Sequence, residues 1–258
     1  MSEPIMNGEV LVEVRAGVIE VTINRPDAKN AMTKAAAEAI AAAMDRLDAE
    51  DDLRCAILTG AGGTFCSGMD LKGFLKGEFP AAGARGFGGL TSWTPKKPVI
   101  AAVDGYALAG GMELAIACDM IVASKGAKFG IPEAKRGMVA AGGGVVQLPR
   151  LLPRPLAMEL ALTGDPITAE RAFALGLVNA VVDGPAIEGA RELAARIVAN
   201  GPLALIASKG VIRDSWNWEE DSIIANQTPY ISGVFASEDA REGAMAFAEK
   251  RKPNWKGR

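Results

Sequence analysis

The sequence predicts an α/β protein, and three observations carry that expectation. An apolar run, a glycine-bearing loop and a helical pattern follow one another at residues 55–76 and again at residues 98–119. Residues 10–23 alternate in polarity as two short runs about Ala16-Gly17, the pattern of a hairpin with one covered face. Beyond residue 150 the apolar spacing is helical, apart from one strand-like run at residues 178–182. Strand-loop-helix units in series are the signature of a sheet covered by helices.

Taken in order, Val10, Val12 and Val14 point to one face of the first strand, and Ile19, Val21 and Ile23 do the same for the second. Thr33 is placed to cap a helix reaching about Ala49, in which Ile40, Met44 and Leu47 recur at helical spacing. CAILTG (55–60) reads as a strand, AGGTFCSG (61–68) as a loop and the stretch from Met69 to about Lys76 as a short helix. Residues 77–93 lack periodicity, are rich in Gly and Ala, and are expected to form a mobile surface loop. PVIAAVDG (98–105) supplies the next strand, ALAGG a loop, MELAIACD (112–119) a helix and MIVAS (120–124) another strand. Thr168 then caps a short helix, and longer ones are expected near residues 186–199, 203–213, 219–234 and 238–251. The last nine residues, KRKPNWKGR, carry several bases and no acid, which suits a solvated tail or an anion contact.

With 258 residues the chain can bury a substantial core, and 49% hydrophobic against 23% charged residues is an ordinary globular balance. A net charge of −3 offers no basic field, so neither nucleic acid nor an anionic membrane surface is the expected partner. Asp104, Glu113 and Asp119 interrupt the longest apolar region, which excludes it as a membrane span. Cys55, Cys66 and Cys118 form no even framework and read as reduced thiols. The opening MSEPIMNGEV lacks the basic and apolar runs of a secretory leader, so the expected location is cytoplasmic. No histidine is present, which removes imidazole bases and histidine metal ligands from every candidate mechanism.

Two nucleotide-binding patterns come close and fail. Gly63 and Gly68 have the spacing of a phosphate loop, but Met69-Asp70 stands where Lys-Ser/Thr is needed. Gly60 and Gly62 begin a dinucleotide fingerprint that Phe65 leaves incomplete. Ser67 and Cys66 have no histidine to activate them as nucleophiles. What remains is Gly110-Gly111-Met112-Glu113. A glycine pair opening a helix leaves N–H groups unpaired, and the loop before Met69 offers a second set. Two such donors meeting at one oxygen would form an oxyanion hole. Glu113 stands on an otherwise apolar helix, and Glu133, in FGIPEAKRG, is the second acid. If both face one cavity, burial and mutual repulsion would separate their pKa values and provide an acid and a base.

Five segments together resemble the crotonase superfamily, the enoyl-CoA hydratase/isomerase family: INRPDAKNAM (23–32), FCSGMDL (65–71), VDGYALAGGMELAIACD (103–119), KFGIPEAKRG (128–137) and AFAEKRKPNW (246–255). Their order and spacing are specific, and the likeness covers essentially the whole chain. The resemblance implies a crotonase-like spiral of ββα units over residues 1–200, carrying an acyl-CoA site. It also implies a C-terminal helical region, residues 201–258, used for trimerisation, with homotrimers or homohexamers as the assembly.

For the site, the resemblance implies backbone N–H groups of Met69 and Gly110 as oxyanion donors and Glu113 and Glu133 as catalytic acids. It further implies CoA or substrate contacts from Lys29, Ala31, Ser67, Asp70, Leu71 and Lys72, and from Phe247 and Lys250 toward a neighbouring subunit. The implied reaction is reversible addition of water to a 2-enoyl-CoA, with no metal and no cofactor beyond the CoA of the substrate. Double-bond isomerisation, or a non-catalytic member binding acyl-CoA or RNA, are the alternatives. The chain departs from the family pattern at Lys135-Arg136 and at residues 140–147, beside the expected acyl site.

Overall fold

The computed structural model describes residues 8–258; most of the opening stretch read for a leader lies outside the described residues. The expected hairpin forms from β1 (Val10–Arg15) and β2 (Val18–Ile23), paired antiparallel with Val12 opposite Val21. Helix α1 (Lys34–Ala49) starts where expected, the Thr33 side chain accepting the Ala36 N–H at 3.0 Å. Strand β3 (Cys55–Gly60) lies parallel to β2, and the short α2 (Leu71–Phe74) follows under an Asp70 cap. Next come β4 (Val99–Val103), β5 (Tyr106–Leu108), α3 (Gly110–Ala117), β6 (Met120–Ser124) and β7 (Lys128–Gly130). The remainder runs α4 (Gly144–Leu151), α5 (Arg154–Thr163), β8 (Ile167–Thr168), α6 (Ala169–Ala174) and β9 (Ala180–Val182). Four longer helices finish the chain: α7 (Ala186–Val198), α8 (Pro202–Asp214), α9 (Ile223–Phe235) and α10 (Glu238–Ala248).

Six strands form the main sheet in the order β1-β2-β3-β4-β6-β9, parallel from β2 onward. Its central strands are covered on both faces, and this explains why β3 and β4 read as unbroken apolar runs. Ala56 and Leu58 of β3 join the core that includes Ile40, Met44 and Leu47 of α1, whereas Cys55 and Ile57 join a second core with Ala190 and Ala194 of α7. Alternate residues of one strand thus serve two layers. Two of the three acids that interrupt the apolar region are satisfied at strand ends. Asp104 accepts the Ala186 N–H that opens α7, and Asp119 accepts the Val99 N–H at 2.7 Å and pairs with Lys209 at 2.7 Å.

Three features depart from expectation. ALAGG is not wholly loop: β5 forms a second, three-stranded sheet with β7 and β8. That sheet is too short to leave a periodic trace, and α4, with Pro149 inside it, lacked a clear start signal. The expected surface loop at 77–93 is in part core. Phe87 is 6% and Leu90 1% exposed, and a Cβ on Gly89 would stand 2.3 Å from the Ala37 carbonyl of α1. Its apolar residues are spaced by glycine turns, so no periodicity marks their burial. The basic tail, finally, is bound by the chain's own acids. Asp239 accepts the N–H groups of Lys256 and Gly257, Glu242 pairs with Arg251, and Trp255 donates to the Ala199 carbonyl at 2.8 Å.

The two halves of the 77–93 segment should respond differently to substitution. Gly89→Ala, at φ +74° against the α1 backbone, is expected to lower stability by about 2 kcal/mol or more in chemical denaturation. Gly83→Ala, at φ +53° in open space, should cost about 1 kcal/mol. Equal costs would contradict the packed arrangement.

Candidate active site

The site begins with a backbone pairing. Cys66 donates to the Tyr106 carbonyl at 2.9 Å and accepts from the Leu108 N–H at 3.0 Å, so the loop after β3 runs beside β5. Gly68, at φ +103°, then turns the loop so closely that a Cβ there would meet the Ala109 Cβ at 2.7 Å and the Gly110 nitrogen at 3.3 Å. Ala109 itself has φ +54°, a conformation that L side chains resist, and it opens α3 with its own N–H on the Gly130 carbonyl at 2.9 Å. The Met69 and Gly110 N–H groups, brought together in this way, donate to no acceptor among the described residues. Both residues line a cavity of about 400 Å³.

Glu113 and Glu133 line the same cavity. Glu113 projects from the first turn of α3 and is only 4% exposed. Burial pushes its carboxyl up, and the amides of Gly144, at 2.8 Å, and Gly142 hold it back by donating to the charged form. Glu133 sits on a 3-10 turn, Pro132–Arg136, begun by proline and ended by Gly137 at φ +68°. Its Oε2 is buried without a hydrogen-bond partner among the described residues. Burial pushes its pKa up to about 7, with the Glu113 charge adding to the rise and its own backbone N–H and Arg136 opposing it. Burial, as the sequence suggested, is the largest influence on both acids, mutual repulsion is a smaller one at Glu133, and the amides that Glu113 receives set the two apart.

Of the other expected residues, Lys29, Ser67 and Leu71 line the cavity, with the Lys29 ammonium 5.8 Å from the Tyr106 ring centre. Ala31, Asp70 and Lys72 do not. The Ala31 carbonyl accepts from Arg25, and the Asp70 carboxylate pairs with Arg25 at 2.9 Å and caps α2 through the Lys72 and Gly73 amides. Asp70 and Lys72 line a separate hollow of about 210 Å³. Phe247, 88% exposed, and Lys250 lie outside the cavity of their own chain. Cys66 is buried and its thiol is pushed up to about 12 by desolvation, so it is inert as a nucleophile. Among the described residues no cluster of three or more His, Cys, Asp or Glu side chains is placed to hold a metal ion, and no single helix is long and apolar enough to cross a membrane.

Sequence reasoning missed Phe87. Its ring would overlap a Cβ on Gly110, and its Cβ abuts Gly142, so it wedges between the helix carrying Glu113 and the turn whose amides bind that acid. An aromatic residue amid Gly and Ala was the available signal. The site as a whole can polarise a carbonyl oxygen with two amides and move protons with two carboxyls beside it.

The fold, taken with the relatives that match it, defines a crotonase-fold enzyme of the hydro-lyase class. The family model for enoyl-CoA hydratase/isomerase matches residues 13–258. An enoyl-CoA hydratase of Mycobacterium tuberculosis, EchA19, is 44% identical, the match covering 97% of each chain. A carnitinyl-CoA dehydratase of Proteus mirabilis is 42% identical over 98% of this chain and 100% of its own. The crystal structure of an enoyl-CoA hydratase from M. tuberculosis H37Rv superposes with a TM-score of 0.95 at 54% identity, covering 97% of this chain and 99% of that one. The chain belongs to the enoyl-CoA hydratase/isomerase family.

The elevated pKa of Glu133 has a stability consequence. Above the ordinary carboxylate value of 4.5 the unfolded chain releases this proton more readily than the folded one, so the buried group destabilises the fold increasingly up to about pH 7. Glu133→Gln should therefore melt higher than the unmodified chain at about pH 8, with the difference closing as pH falls toward 4.5. A difference that does not vary with pH would contradict the shift.

Proposed function

We propose that the chain catalyses reversible addition of water across the 2,3 double bond of an enoyl-CoA thioester. The carrying observation is that two unpaired backbone donors and two unequal carboxyls line one cavity. In this reading the Met69 and Gly110 amides hold the thioester oxygen and stabilise the negative charge that grows there as the alkene is attacked. Glu113, whose charged form receives two amides, takes a proton from water as the water oxygen bonds to C3. Glu133, whose pKa near 7 keeps a proton available, delivers that proton to C2. Product leaves with one water added, and the pair has exchanged which member is protonated. No metal or redox cofactor enters these steps.

Lys29, Ser67 and Leu71 are proposed to receive the CoA moiety along the cavity, with Ala31, Asp70 and Lys72 shaping the adjoining rim. Residues 201–258 are proposed as the subunit contact region of a homotrimer, or of a homohexamer built from two trimers. Exposed apolar side chains at Ile212, Trp216, Ile224, Phe235 and Phe247 support this. Within such an assembly Phe247 and Lys250 would reach a neighbour's CoA. Three unpaired thiols support a cytoplasmic setting.

Incubation with 2-enoyl-CoA thioesters should give a product heavier by one water. Unchanged mass with a moved double bond would establish isomerisation instead, and unaltered thioester throughout would leave a binding protein. Glu113→Gln and Glu133→Gln should each reduce kcat on the order of 10²- to 10⁴-fold with the fold intact by circular dichroism. Because the acting pair carries one proton in total in either direction, kcat/KM for both hydration and dehydration should fall above pH of about 7. A profile flat through that region would remove Glu133 as the proton donor.

A further inference from the structure

Four charged side chains line the cavity, and the proposed reaction uses Glu113, Glu133 and Lys29, leaving Arg136. Arg136 ends the 3-10 turn that carries Glu133, and among the described residues it has neither an ion pair nor a hydrogen bond. The neighbouring Lys135, by contrast, is paired with Asp165 at 2.5 Å, and of the arginines Arg136 is the one that lines the cavity. Its charge is felt by Glu133, which burial keeps from being fully ionised near neutrality, so the guanidinium charge is not cancelled there. The wall that continues from it, Met138, Val139 and Ala141, is apolar. A chain extending past Glu133 along that wall would meet one unspent positive charge and its planar array of donors.

We propose that Arg136 selects the acyl group: the site prefers acyl chains whose far end carries a carboxylate and rejects those ending in a quaternary ammonium. The proposal rests on the acyl-thioester reading above and deepens it. An anionic end gains the bidentate pairing that a guanidinium offers. A cationic end has no acceptor to offer and is repelled, which gives discrimination from both sides of the comparison. Kinship with carnitinyl-CoA dehydratases therefore does not carry their substrate over to this chain.

The test uses saturated thioesters, which bind without being hydrated, so the result does not depend on turnover. Calorimetric affinities of the full-length protein for butyryl-CoA, glutaryl-CoA and 4-(trimethylammonio)butyryl-CoA should place glutaryl-CoA tighter than the ammonium ligand by about tenfold or more at low salt. The gap should narrow as salt is raised. Arg136→Met should shrink it to within about threefold while leaving butyryl-CoA within about twofold of the original, and Arg136→Lys should restore the order. An unchanged order in Arg136→Met overturns the proposal. So does equal weakening of all three ligands, which would assign Arg136 to the CoA phosphates. Failure to hydrate any enoyl-CoA, with the affinity order intact, would overturn the reaction assigned above and leave the role of Arg136 standing. Absence of binding by all three would overturn both.

Discussion

The arrangement depends on one short stretch of parallel pairing, in which Cys66 exchanges hydrogen bonds with Tyr106 and Leu108. Through it the loop leaving β3 and the start of α3, separated by some forty residues of sequence, become adjacent backbones, and their orphan amides face one hollow. No side chain chemistry is needed at either donor. The requirement falls on what surrounds them: a glycine at 68 to permit the turn, and Ala109 held at positive φ by its bond to Gly130. Conformational strain of this kind persists only where neighbouring structure over-determines it, and the flanking sheet β5-β7-β8 supplies that restraint.

The carboxyls illustrate how environment divides labour between identical groups. Glu113 is the more completely enclosed by surface area, yet its charge is the better tolerated, because Gly142 and Gly144 turn their N–H groups toward it. Glu133 has more access to solvent but an oxygen with no partner, and its proton is held to a higher pH. Counting donors, and not burial alone, ranks the two. A histidine-free chain thus obtains a group that titrates near neutrality from an ordinary glutamate.

The sequence made the elements that pack by simple periodicity legible: the hairpin, α1 with its Thr33 cap, the buried strands β3 and β4, and the long C-terminal helices. It also made Glu113 conspicuous, as an acid on an apolar helix behind two glycines. Glu133 was less visible, since one acid after a proline is commonplace, and only the family likeness gave it weight. Short elements were illegible for a physical reason. Strands of two or three residues such as β5 and β8 have no room for a period, and Phe87 and Leu90 are buried by glycine-directed turns that leave no regular spacing. Composition registered the tail's positive charges but not the acids of α10 that pair with them.

The segment that binds Glu113 is also a wall of the cavity: Ala141 and Gly142 face the hollow, and Gly142 and Gly144 supply the amides. Container and proton carrier are mechanically one part. On the proposed reading, an ill-fitting guest that displaces this wall shifts the carboxylate along with it. Discrimination is then exercised after capture, as poor alignment of a guest already inside, so that wrong molecules occupy the enzyme without being processed and behave as inhibitors of the right ones.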